Sequence, residues 1–180
     1  MSIGQWIVLA AAAVTVFWMV GAHNRLVAMR SAIGRAFGQV DELMERRLAS
    51  AKALVEAARQ ALAGEPDAID AWLAALAASS QAAAALRLHP ADADPAAALA
   101  ASEAALAARA TRVMALLEQR QDQLDDVAAA QQALLQDLQS RLAFARQLFN
   151  DATQAYNAAA QELPTRWLTR LYRFGPAGRL

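Results

Sequence analysis

The sequence predicts an all-α protein: an N-terminal transmembrane helix, then an antiparallel up-down four-helix bundle, then a short C-terminal amphipathic helix. Three observations carry this. Ile3 to Ala22 holds no ionisable side chain and has about the length that crosses a bilayer core as a helix. Beyond it alanine, leucine, arginine, glutamine and glutamate dominate, the strongest helix formers, and no strand-like alternation appears. Breaks are sparse: Gly64-Glu65-Pro66, the run His89 to Pro95, and Leu163-Pro164-Thr165. They divide the chain into an anchor (1–22), a helical body (23–163) and a membrane-surface tail (164–180).

The anchor comes first. A charge at mid-membrane costs several kcal/mol, so an uncharged run is what a span requires. Trp6 and Trp18 lie near its ends, where indole rings favour the headgroup level, with Phe17 beside them. Two rival readings are a cleaved signal peptide and a buried core helix. The first suits the small residues Val20-Gly21-Ala22, but a basic n-region is missing and the apolar run is long. The second is disfavoured because core helices seldom lack polar residues on every face. After the span come Arg25, Arg30 and Arg35, with no acidic residue before Asp41. The positive-inside rule then puts the N-terminus outside and the helical body in the cytoplasm, in a bacterial inner membrane. The chain has no cysteine, which agrees weakly with that compartment.

Formal net charge is zero, which argues against a nucleic-acid partner, since phosphates demand a basic face. The charges are nevertheless segregated. Residues 23–35 and 165–180 hold seven arginines and no acidic side chain, which leaves ten basic and 17 acidic residues between 36 and 164. Two positive ends on a negative body suit a domain whose ends rest on anionic lipid.

The helices follow in order. The first continues out of the anchor to Ala63, its apolar stripe made by Ile33, Phe37, Val40, Met44, Leu48, Ala51, Val55, Ala58 and Leu62. Gly64 closes it and Pro66 opens the next. The second, Asp67 to Leu88, buries Ile69, Trp72, Leu73 and Leu76. The third, Pro95 to Glu118, starts at the cap-and-proline pair Asp94-Pro95 and carries Leu99, Leu106, Val113, Met114, Leu116 and Leu117. A turn is placed in the polar stretch Gln119–Asp126; the alternative is one helix of nearly 70 residues, roughly 100 Å long. The last helix repeats Leu134, Leu138, Leu142, Ala145, Phe149, Ala152, Tyr156, Ala159 and Leu163 as a heptad-like seam. Asn150 and Asn157 flank that seam seven residues apart. They either face solvent or cap local structure, or else hydrogen-bond across the seam and fix its register.

These residues carry a resemblance. Leu148-Phe149-Asn150-Asp151-Ala152, then Tyr156-Asn157, then Leu163-Pro164 and an apolar tail resemble the C-terminal signature of the LemA family. His23-Asn24-Arg25-Leu26-Val27, Arg30, Asp41, Arg46-Arg47 and Leu54-Val55-Glu56 are similar to the family's N-terminal pattern. Ala49 to Ala53 stands where members usually carry Leu-Ile-Pro-Asn, and Ala74 to Ala110 shows little family pattern, so the chain resembles a divergent member. The resemblance implies a single-pass membrane protein with a cytoplasmic helical bundle. It implies no activity. It makes Asn24, Asn150, Asp151, Tyr156, Asn157 and Pro164 motif or core-contact residues.

Nothing in the chain points to catalysis. Nucleophilic chemistry needs a nucleophile beside a base, and the two histidines, His23 and His89, lie at the membrane edge and in a proline-rich loop. No metal-ligand spacing and no glycine-rich phosphate loop appears, so neither cofactor nor metal is expected. The acidic groups Asp41-Glu42-Glu45 and Asp122-Asp125-Asp126 read as solvated surface. The tail is more suggestive. Arg166, Arg170 and Arg173 alternate with Trp167, Leu168, Leu171, Tyr172 and Phe174, which in a helix sets aromatics and leucines among arginines, as interfacial helices do. With Arg25 and Arg30 these residues form the expected membrane contact; the rival reading has them capping the bundle core. The expected function is a scaffold at the inner membrane that self-associates or recruits an unknown protein partner, and organises or shapes the bilayer. The alternative is a signalling adaptor that couples an envelope event to a cytoplasmic partner. Alanine-rich faces at Ala82–Ala85 and Ala104–Ala108 let helices approach closely, which favours a homo-oligomer.

Overall fold

A computed structural model describes residues 2–162, 165, 166, 169, 172 and 174–180. Among the described residues four long α-helices occur and no strand: α1 (Ile3–Ala57), α2 (Pro66–Leu88), α3 (Ala93–Gln119) and α4 (Asp126–Gln161). A short 3₁₀ turn at Gln121–Gln123 separates α3 from α4, and the Asp125 carboxylate caps α4 by accepting from the Ala128 N–H at 2.7 Å. The polar stretch 119–126 is therefore a genuine break.

Two boundaries differ from the sequence expectation. α1 stops at Ala57, six residues short of Ala63. Residues 58–63 form tight turns instead, with Ala61 and Leu62 tucked inward and the freed Ala61 carbonyl accepting from Arg120 at 2.5 Å. α3 starts at Ala93, so Pro95 sits inside its first turn, where a missing N–H costs nothing. Asp92, ahead of that helix, makes no cap and holds Arg30 at 3.3 Å.

α4 lies against α1, α1 against α2 and α2 against α3, while α3 and α4 stand apart. The pairings run in reverse order along each pair of helices. From α1 to α4 they are Arg25 with Glu162, Phe37 with Phe149, and Ser50 with Gln131. From α2 to α3 they are Glu65 with Arg112 and Ser79 with Glu103.

The core divides into two apolar clusters. Nearer the anchor, Leu26, Ile33, Phe37, Val40 and Met44 of α1 meet Leu86, Leu99, Leu142, Phe149 and Tyr156. Farther out, Leu54 and Leu62 meet Trp72, Leu76, Leu106, Val113, Leu117 and Leu135. The expected stripes are shifted by one residue in places: Leu135 is buried where Leu134 was expected, Thr153 beside the half-buried Ala152, and Arg47 where Leu48 was expected. A helix of 3.6 residues per turn drifts from a strict heptad, and the core selects whichever neighbour faces it.

α1 and α2 are both long and apolar enough to cross a membrane. None of the apolar window of α1 is buried by the described residues, whereas α2 is held between α1 and α3.

Candidate functional site

The end of the body that adjoins the anchor gathers most of the residues singled out from the sequence. Trp6, Phe17 and Trp18 project from the unpartnered stretch of α1. The C-terminal end of α4 returns to the place where this stretch ends: Ala159 and Thr165 line one small pocket with Trp18, Gly21, Arg25 and Leu26. Arg25 pairs with Glu162 at 3.7 Å, both largely exposed. Arg166 and Tyr172 are exposed, Tyr172 lying 4.6 Å from the His23 ring. Asn24 and Asp151 face outward.

Arg30 and Phe174, both expected at the lipid surface, meet each other. The Arg30 guanidinium stands 5.4 Å above the Phe174 ring and 5.8 Å from that of Tyr156, and it also donates to the Tyr156 hydroxyl and to Asp92. A cation with an aromatic face and a carboxylate within reach loses less by leaving water. Pro164, Trp167, Leu168, Arg170, Leu171 and Arg173 lie outside the described residues.

Asn150 and Asn157 take neither of the roles foreseen for them. Each presents its amide to the backbone of the C-terminal tail. Asn157 donates to the Ala177 carbonyl and accepts from the Ala177 N–H, both at 2.9 Å. Asn150 does the same to Leu180 at 2.8 Å. The spacing explains the fit: seven residues of helix and three of extended chain both advance about 10 Å. The Tyr156 hydroxyl adds a bond to the Gly175 carbonyl at 3.0 Å. Residues 174–180 thus run back along α4 and fill the gap between α4 and the start of α3. Gly178 passes so close to α3 that a Cβ there would lie 2.6 Å from that of Ala96 and 2.9 Å from the Ala93 backbone.

Beyond Leu180 the gap between α3 and α4 stays open as a groove of about 520 Å³. Trp72, Leu76, Leu106, Met114 and Leu135 form its apolar lining, and Gln136 and Gln139 of α4 form one rim. At its head lies a buried ionic cluster that the sequence reading missed. Glu103 of α3 accepts two hydrogen bonds from Arg47 of α1 at 2.5 and 2.9 Å, and others from Ser79 of α2 and Arg146 of α4. One carboxylate therefore ties all four helices together. Burial alone would push its pKa up, but the Arg47 hydrogen bonds and charge, the Ser79 hydroxyl and Arg146 outweigh that and hold it below the ordinary value. The Arg47 Nε is buried without a hydrogen-bond partner among the described residues. The signal for this cluster was present: Glu103 falls four residues after Leu99 and three before Leu106, on the apolar stripe. Ser79 and Arg47 occupy equivalent places on their helices.

Among the described residues no group of three or more histidine, cysteine or acidic side chains is placed to hold a metal. No curated protein matches the chain. The sequence profile of the LemA family matches residues 36–179, most of the chain, and takes in α2, α3, α4, the outer half of α1 and nearly all of the tail. With an apolar N-terminal helix feeding a helical body, and the tail motif placed where its asparagines hold the chain, the protein belongs to the LemA family.

Proposed function

We propose that the protein is a non-enzymatic scaffold, anchored by residues 3–22 in the bacterial inner membrane, with its N-terminus outside and an up-down helical bundle standing in the cytoplasm. The observation that carries this reading is the return of α4 to the root of the anchor, where Ala159 and Thr165 adjoin Trp18 and Arg25. An even number of helices brings the chain back to its starting face. The residues at that face, with arginines and no acidic side chain in 23–35 or 165–180, suit an anionic leaflet. Trp167, Arg170, Leu171 and Arg173 complete that contact alongside Arg166 and Tyr172. The scaffold associates laterally with other copies or with a protein partner and so organises the membrane.

Two measurements test this. Protease added outside intact cells or spheroplasts leaves the body uncut, and cleavage there would reverse the topology. Native mass measurement in detergent yields a homo-oligomer, and a monomer at every concentration, with no crosslinked ladder in membranes, overturns self-association. A second reading, a signalling adaptor, draws support from α1, which joins anchor and body as one unbroken helix and transmits a tilt or rotation between them. For that reading, an envelope perturbation changes crosslinking within the body while oligomeric mass stays constant.

A further inference from the structure

The gap between α3 and α4 is filled by an extended chain over one half of its length, and no described residue fills the other. In the filled half, the side-chain amides of Asn150 and Asn157 read the backbone of residues 177–180, and Ala177 is buried between the helices. In the open half α4 continues the same row. Asn157, Asn150, Arg146 and Gln139 are spaced seven, four and seven residues apart, which keeps all four on one face of the helix. Arg146 and Gln139 line the groove.

We infer that this groove is a binding site for an extended apolar peptide segment of a partner protein, its backbone hydrogen-bonded by the Gln139 amide and its side chains set on the Leu106 and Leu135 floor. Size favours this occupant. Glu103 to Glu118 spans about 22 Å of α3, the length of six or seven residues of extended chain. The gap takes a single extended strand in its upper half, whereas a helix is about 10 Å across with its side chains. The volume of about 520 Å³ falls in the range of sites that hold small or single-strand ligands. Charge sets the polarity. Arg47 is buried against Glu103, while Arg146 keeps 27% of its exposure at the head of the groove and favours a peptide with an acidic residue at that end. The site supplies the recruiting surface of the scaffold reading and rests on it for its role, but peptide binding is measured directly and fails independently of the topology and oligomer tests.

The probe is a fluorescein-labelled heptapeptide with one leading aspartate followed by alternating leucine and serine, titrated by polarisation against the full chain in detergent. A second probe has the same sequence with N-methylated serines, which cannot donate backbone hydrogen bonds. The first probe binds and the methylated one binds roughly tenfold more weakly, matching the loss of one or two hydrogen bonds. Gln139→Leu, at an exposed position, weakens the first probe by a similar factor and leaves the methylated probe unchanged. Ala110→Trp, which fills the groove from its half-exposed wall, abolishes both with the helical signal intact. Equal binding of the two probes, indifference to Ala110→Trp, or no binding up to the solubility limit overturns the inference. Displacement by palmitate that Gln139→Leu does not affect overturns it too, and makes the groove a lipid site.

Discussion

Replacing Glu103 with alanine removes the one acceptor shared by all four helices. The side chains of Glu103 and Arg47 keep only 11% and 7% of their exposure, and Arg146 keeps 27%. In the variant the Arg47 guanidinium stays buried beside an empty space, and Arg146 and Ser79 lose a partner as well. Breaking a buried pair from one side costs about 3–5 kcal/mol, because the remaining charge is left uncompensated. Glu42, paired with Arg46 at the surface with both side chains more than 60% exposed, is the internal control. Its alanine variant costs at most about 1 kcal/mol. Urea unfolding of the detergent-solubilised chain, followed by far-ultraviolet circular dichroism, measures both. The pairing of residues also predicts an asymmetry: Arg146→Ala costs less than Arg47→Ala, since Arg146 is the more exposed and Arg47 remains to neutralise Glu103. The double variant Arg47→Met with Glu103→Met restores most of the loss, as apolar groups of like volume do in place of a buried pair. A Glu103→Ala variant as stable as Glu42→Ala would refute the role assigned to the cluster.

Four further outcomes follow from the same geometry. Because the folded-state pKa of Glu103 lies below its unfolded value, its contribution is present above the ordinary carboxylate range near about 4.3 and is lost as pH falls through the folded value. Stability therefore climbs with pH across that acid window, and Glu103→Gln flattens the climb in acid-unfolding curves. Asn150→Ala combined with Asn157→Ala removes four hydrogen bonds to the tail, and hydrogen exchange at Ala177 and Leu180 accelerates at least tenfold while the α1 core keeps its protection. Gly178→Ala places a methyl against Ala93 and Ala96 and releases the tail in the same assay; unchanged exchange there would mean that the backbone shifts to accept the methyl. Trp167→Ser with Leu171→Ser lowers flotation of the chain's body with anionic liposomes and leaves its helical melt in place, whereas a lost melt assigns these side chains to the core.

The apolar N-terminal helix and the breaks between helices were legible because they rest on features that local sequence carries: an uncharged apolar run, helix-forming composition, and breaks at Pro66 and in the polar stretch after Gln119. The face of each helix was legible to within one residue, the margin by which 3.6 residues per turn departs from a heptad. The ionic cluster escaped because Arg47 was read only as part of the family pattern and Glu103 and Arg146 were given no role. Their partners come from four different helices, and no single-helix pattern pairs them. The tail's course escaped for another reason. Asn150 and Asn157 bind backbone atoms, so the segment they hold needs no side-chain signature apart from glycine at 178. The contact of Arg30 with Phe174 escaped because an arginine and an aromatic have the same composition in a lipid interface and in a cation–π contact.

The unbroken course of α1 has an electrostatic consequence. From Ala22 to Ala57 the helix rises about 50 Å, and Arg47 and Glu103 stand roughly 35–40 Å above the level at which the anchor ends. Charge on a lipid surface is screened within about 8–10 Å at physiological salt. In the proposed arrangement the arginines at the foot of the body lie within that distance of anionic lipid, and the groove at mid-height lies beyond it. If the proposed lipid contact is made, raising the salt concentration weakens flotation of the body with anionic liposomes while the buried ion cluster and the groove beside it stay as they are. On that proposal one continuous helix holds the two proposed contact surfaces in different ionic environments, so salt acts on one without the other.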